Sequence, residues 1–305
     1  MNYAFKARRG VYAWRTILAT ASDLFGLFTL QAEIPAPGKC LVRPVPMHIR
    51  PLMIKPQYTL HAAGPIPARL AGSGTDFWGI REYRRGDSLR RLNWRKAARQ
   101  PGKLFTNEYE QEEIADFGLI LDARQLTTAD EIEAAIFEYS VSAATALAEN
   151  FLKNGNRVSL LVFGESILTV FPGYGKQQLN RVQTTLARAR QGKDVPFRYL
   201  EYFPTRLFPT RSQLVILSSV DARDPKTYAS LRALGYEVLL IASNPVDFTT
   251  RRQSETEINS LAYRAARVER VILLKRLLKL GVRVIDWPVH KPLETILHTA
   301  ARQLN

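Results

Sequence analysis

From Asp116 onward the chain alternates short apolar runs with amphipathic segments of crossover length, and nothing else in the sequence limits the possible folds as much. FGLILD (117–122), RVSLLVFG, ESILTVFP, QLVILSSV (213–220), YEVLLIA and VRVIDW read as strands. The segments 130–155, 176–190, DPKTYASLRALG, a long stretch within 254–280 and PLETILHTAARQL read as helices. The first of these opens on acidic residues and stops at Gly155, and the third has Pro near its start and Gly235 at its end. Apolar strands joined by helices predict an α/β fold with a doubly wound, mostly parallel sheet covered on both faces. Residues 191–212 form the one long connection without clear periodicity.

The front of the chain is of a different kind. VYAWRTILATAS and DLFGLFTLQAEI are extended, the latter around Gly26, IPAPGK is a turn, and the prolines of CLVRPVPMHIRP suit a sheet edge. Residues 1–62 are expected to be a small, incomplete β-sandwich-like module. Residues 63–116 follow as a Gly/Ala/Pro-rich linker (63–75) and an Arg/Trp-rich segment, and 117–305 form the α/β domain. Charge follows the same division. The chain carries 43 Lys and Arg against 28 Asp and Glu, and residues 1–107 hold 18 basic and 5 acidic side chains. A basic front of this kind suits nucleic acid, an anionic membrane surface or an acidic protein partner. The lone Cys40 excludes an intramolecular disulfide and points to a reducing compartment. Apolar runs such as Leu214–Leu217 are too short to cross a membrane, and the first residues lack the apolar block of a signal peptide.

Residues 72–113 are the densest in chemistry. Arg81, Arg84, Arg85, Arg90, Arg91, Arg95, Lys96, Arg99 and Lys103 alternate with Phe77, Trp78, Tyr83 and Trp94. One reading is nucleic-acid binding, with guanidinium groups on phosphates and aromatic rings under bases. The other is structural: Arg forks held by Asp76, Glu82 and Asp87 tie the insert to the main domain over packed tryptophans. The acidic run Glu108, Glu110, Glu112 and Glu113 reads as a solvated strand face.

This block resembles the signature of the bacterial domain-of-unknown-function family fifty-eight. Gly72, Gly74, Asp76, Phe77, Gly79, Arg81, Tyr83, Gly86, Asp87, Arg90, Trp94, Ala98 and Arg99 match its pattern. Asn93 stands where aspartate is commoner, and Ala97 where a small hydroxyl residue is often seen. RRGVYAWRTILATASDLFGLF is similar to the family's β-segment, with Leu24 in place of a proline. The resemblance implies a closing domain like that of von Willebrand factor type A. It also implies the role of a companion to MoxR-type AAA+ ATPases in the assembly or remodelling of complexes. Many relatives carry a pair of membrane helices ahead of the β-module, whereas this chain begins within it. The location expected is cytoplasmic, or the inner membrane face if an anchor precedes the segment.

A type A-like fold also implies a metal-ion adhesion site built from a D-x-S-x-S loop, a threonine and a second aspartate. Here the loop reads Asp122-Ala123-Arg124-Gln125-Leu126, so Arg124 and Leu126 replace both hydroxyl ligands. Ser218 and Ser219 stand where a Ser-Asp pair is expected, Asp221 is displaced by two, and PGYGKQQ, which lacks a threonine, is the candidate for the threonine loop. The expectation is a degenerate edge with an Asp122–Arg124 pair and no metal or other cofactor.

Nothing else in the chain forms a catalytic pattern. There is no phosphate-binding G-x-x-x-x-G-K-[ST], and His48, His61, His290 and His298 lack ligand spacing. The apolar positions of the 254–280 helix, from Ile258 and Leu261 to Leu277, serve the core or a partner groove. The sequence thus describes a non-catalytic protein-interaction adaptor whose loops at the carboxyl ends of the strands, with Arg124, Gln125, Asp221 and Arg223, meet a protein partner. Nucleic-acid binding through residues 1–107 and metal-dependent adhesion through Asp122 stand as alternatives.

Overall fold

The computed structural model describes residues 6–49, 60–126, 130–192, 197–202, 205–250 and 261–303. The strands are β1 (Gly10–Ser22), β2 (Thr29–Val42), β3 (Leu60–Glu82), β4 (Phe105–Ile114), β5 (Asp116–Asp122), β6 (Arg157–Phe163), β7 (Ile167–Gly173), β8 (Gln213–Ser218), β9 (Glu237–Ser243) and β10 (Arg283–Trp287). The helices are α1 (Trp94–Ala97), α2 (Asp130–Lys153), α3 (Gly175–Arg188), α4 (Pro225–Ala233), α5 (Pro245–Thr250), α6 (Leu261–Lys279) and α7 (Leu293–Gln303).

Six strands form one sheet in the order β10-β9-β8-β5-β6-β7, parallel except for β7. The mixed α/β architecture is the one the alternation predicts. Alternate residues of each central strand serve opposite faces, as the period of two requires. Leu119, Leu121, Leu160, Val162, Val215 and Leu217 join α2, α3 and α7 in one core. Ile120, Leu161, Phe163, Leu214, Ile216 and Leu240 join α4 and α6 in the other. Gly118 is set by packing: a Cβ there would lie 2.6 Å from Leu214 and Phe208 side chains.

Two smaller antiparallel pairs precede this sheet. β1 and β2 form a long hairpin whose turn, Asp23–Phe28, is held by the Asp23 carboxylate accepting from the Phe25 and Phe28 amides. IPAPGK, expected as a turn, lies within β2. Its two prolines and its glycine are accommodated by a register shift between Trp14 and Thr16, with Gly38 close against the Trp14 ring. Similarly, residues 63–75 are no free linker: they belong to β3, which pairs with β4 through several register shifts. These bulges take up the Gly and Pro residues that made the stretch read as loop. The segment 254–260, expected within the long helix, lies outside the described residues. Among the described residues no helix is long and apolar enough to cross a membrane.

The hairpin is tied to the α/β domain at its root. The Arg9 guanidinium donates to the carbonyls of Leu186 and Ala189 at 2.8 Å, closing the C-terminal end of α3, and pairs with Glu138 of α2 at 2.9 Å. A cation suits this position because the last carbonyls of a helix lack intrahelical donors and carry partial negative charge. Past this root the hairpin stands clear of the main body, and Leu24, Phe25, Leu27 and Phe28 at its tip are exposed.

Candidate functional site

The sheet reverses its winding between β5 and β8, so the loops leaving these two neighbouring strands diverge to opposite faces. Such a switch point at the carboxyl ends of parallel strands is where doubly wound folds place their sites. Asp122 ends β5 and Ser218 ends β8. The Ser218 hydroxyl donates to Asp122 Oδ2 at 2.6 Å, and Oδ1 accepts the Arg124 backbone amide at 3.0 Å. A short polar turn therefore starts on the last residue of a buried strand.

Arg124 folds back over this turn. Its Nε and Nη2 donate to Asp122 at 2.8 and 2.7 Å. Its Nη1 and Nη2 donate to Asp224 at 3.0 and 2.8 Å. The guanidinium also lies 4.1 Å from the centroid of the Phe197 ring. The cluster is enclosed, with side-chain exposures of 11% for Arg124, 2% for Asp122 and 3% for Asp224. Burial works against the charge on Arg124, but the hydrogen bonds and fields of Asp122 and Asp224 outweigh it and hold the group protonated. Burial pushes the Asp224 carboxyl up, and Arg124 opposes that shift. Tyr228, sealed beneath in the core, is pushed well above the usual phenol range by burial first and by the two carboxylates next.

The sequence reading placed Asp122 and Arg124 together, as the structure does, but missed Asp224. Asp224 directly precedes Pro225 at the start of α4, and a short polar residue before proline is a recognisable helix entry that could have marked it. Of the other residues assigned to this edge, Asp221 lies beside the cluster. Its amide donates to Asp224 and its carboxylate accepts from Arg223, whose side chain is 86% exposed. Ser219 contributes its carbonyl to Arg270 rather than a hydroxyl to the site. Leu126 donates its amide to Glu133, and Gln125 donates its amide to the Gly192 carbonyl. PGYGKQQ is corrected outright. Because β7 runs antiparallel, Gly173 pairs with Val158 near the start of β6, which puts this loop at the opposite, amino edge. The segment that does reach the Asp122 loop is Arg190–Gly192, bonded to Ala123, Gln125 and Glu165.

The oxygen donors do not fit a divalent ion. A guanidinium fills the gap between the two carboxylates, and Leu126 offers no side-chain oxygen. Arg124 is likewise no surface docking residue, since its donors are committed inward. Arg223 is the exposed cation of the pair.

A second arginine closes the neighbouring strands. Arg270 of α6 donates to the carbonyls of Ala242 and Ser243 at 3.0 and 3.2 Å and pairs with Asp286 at 2.7 Å. Beside the edge a cleft of about 1410 Å³ opens between the hairpin root, α2 and α3; Arg8, Arg43, Glu131, Glu165 and Arg190 are among its lining residues.

In the Arg/Trp-rich segment, Arg81 grips Asp87 through two bonds of 2.6 and 2.7 Å and reaches Glu108 of β4 at 2.7 Å. Asp87 also accepts the Arg84 amide, closing the turn in which Gly86 takes φ 108°. Tyr83 leans its hydroxyl on the Asp87 carbonyl at 3.4 Å. The Arg81 bond, then the Arg84 amide, lower the Asp87 carboxyl to about 2. Two expectations are corrected here. Glu82 pairs with Lys103, and it is Glu108 of the acidic run that holds Arg81. Trp94 is not packed beneath the forks: it is 67% exposed, because the four-residue α1 capped by Asn93 is too short to bury it. Arg90 and Arg99 are exposed alongside it, and the side chain of Asp76 lies outside the described residues.

A family model described as protein of unknown function DUF58 matches residues 79–249, more than half of the 305-residue chain. The match starts two residues before Arg81 and runs through Asp87, Asp122, Arg124, Asp224 and β9. No curated protein matches the chain.

Proposed function

Since this chain belongs to the DUF58 family, whose function is unknown, we propose that it is a non-catalytic interaction module that docks a protein partner at the carboxyl edge of its sheet. One observation carries the reading: the charged groups that could do chemistry at the edge, Asp122, Arg124 and Asp224, are enclosed and spent on one another. What such an edge presents to a partner is the shape of its loops, the exposed Arg223 and the mixed-charge cleft beside Glu165 and Arg190. The domain is type A-like in this reading, and the partner is a MoxR-type AAA+ ATPase engaged in assembling or remodelling complexes. A chain with 15 more positive than negative groups favours an acidic face on that partner and gains encounter rate more than final affinity.

The test is the association rate of the purified chain with such an ATPase across a salt series. The rate should fall steeply with salt, and Arg223→Glu with Arg190→Glu should lower it several-fold while leaving the melting temperature unchanged. An unchanged rate removes the carboxyl edge as the docking surface. ATP hydrolysis by the chain alone removes the non-catalytic role.

A second reading rests on the exposed Trp94 beside the exposed Arg90, Arg95 and Arg99, a stacking ring among cations that suits single-stranded nucleic acid. Binding that weakens linearly in log salt and is lost in Trp94→Ala would favour it.

A further inference from the structure

We infer that Arg124 is a tethered cation: its guanidinium supplies, from within the chain, the positive charge that offsets the two enclosed carboxylates of Asp122 and Asp224 and holds them together at the sheet edge. Two carboxylates taken almost fully out of water repel each other at a high cost unless a cation lies between them. Here the cation lies between them. Arg124 meets Asp122 with Nε and Nη2 and Asp224 with Nη1 and Nη2, so each carboxylate receives two of its donors. The two acids belong to different elements, one at the end of β5 and one ahead of α4, and the guanidinium is the tie between them. Phe197 covers it from one side, and Ser218 takes up further acceptor capacity on Asp122.

Two consequences follow. A diffusible ion leaves on dilution or with a chelator, whereas a covalently attached guanidinium does neither, so the β5 and β8 loops keep one arrangement at any divalent-cation concentration. Removing the guanidinium in turn leaves two carboxylates and the Ser218 hydroxyl facing one gap, and hard oxygens of that kind suit Mg²⁺ or Mn²⁺. The inference concerns this cluster alone and holds whichever partner the edge meets.

The experiment uses the full chain and three variants, Arg124→Ser, Arg124→Lys and Arg124→Ser/Asp224→Asn. Each is melted with and without Mn²⁺, and bound Mn²⁺ is followed by electron paramagnetic resonance. The wild-type melting temperature should not respond to Mn²⁺. Arg124→Ser should melt lower and recover in a saturable, Mn²⁺-dependent way with bound ion in the spectrum. Arg124→Lys, which keeps a point charge, should lose less and stay insensitive to Mn²⁺. Asp224→Asn in the Arg124→Ser background should raise stability without any metal, because it deletes one of the two repelling charges. That arm decides the matter even if Arg124→Ser alone does not fold. Stabilisation of the wild type by Mn²⁺ overturns the inference. So does an Arg124→Ser variant that neither Mn²⁺ nor the Asp224→Asn change improves, for Arg124 would then act by packing and not by charge.

Discussion

Arg124 and Asp224 meet through two parallel hydrogen bonds, 3.0 and 2.8 Å long, across a separation of 100 residues. The contact ties the loop after β5 to the N-terminus of α4, on either side of the point where the sheet reverses. Truncating one partner of an enclosed pair strands the other. Asp224→Ala should therefore lower stability by about 3 kcal/mol, somewhat below a complete loss because Asp122 still holds the guanidinium. A reduced urea midpoint with an unchanged slope is the expected signature.

Asp87 should show itself in acid. Its folded value of about 2 lies below the ordinary 3.8, so its bonds to Arg81 and Arg84 favour the fold above about pH 4 and are lost as the pH falls through about 2. The carboxyl carbon of Asp87 should titrate near that lower value. The pair is only partly buried, with side-chain exposures of 32% for Arg81 and 19% for Asp87, so solvent still screens it and Asp87→Ala should lower the melting temperature only modestly. No change at all would leave Arg81 without a clamping role.

Arg9→Met keeps most of the aliphatic stem but removes every donor to the end of α3 and to Glu138. A loss of about 2 kcal/mol is expected for a shielded cation at a helix C-terminus. Hydrogen exchange should speed up along β1 and β2 while the amides of β5 and β8 stay protected.

Gly164→Ala tests the packing of the loop beside the edge. A Cβ at Gly164 would run into the Arg190 carbonyl oxygen, which is backbone and cannot step aside. Destabilisation of about 1–3 kcal/mol is expected, with the nearby Arg190–Gly192 bonds to Ala123 and Gln125 the first to weaken. Amide shifts of Ala123 and Gln125 report that change directly.

The α/β domain was legible because its signals are local. β-branched and leucine runs such as QLVILS can only be buried strands at that length, and Pro225 and Gly235 mark the ends of a helix. The Asp122–Arg124 pair was legible for the same reason, both partners lying in one short loop. Asp224 and Arg270 were not, since their roles depend on which strand ends lie side by side, a fact of topology rather than spacing. Residues 63–75 misled because a strand that absorbs glycines and prolines through bulges has the composition of a loop. Trp94 misled because a tryptophan inside a dense motif suggests a core, and only the shortness of α1 reveals otherwise.

Arg9 also has a mechanical meaning. It precedes a strand of 13 residues, so the hairpin is an arm roughly 40 Å long with its fulcrum on the end of α3. A tilt of about 5° at that fulcrum sweeps the tip through roughly 4 Å. Force applied to Leu24 or Phe28 is delivered, with leverage, to the carbonyls of Leu186 and Ala189. The next residues along the chain, Arg190 to Gly192, are bonded to Ala123, Gln125 and Glu165 at the rim of the sheet. A load on the far end of the hairpin is thus borne beside the Arg124 loop.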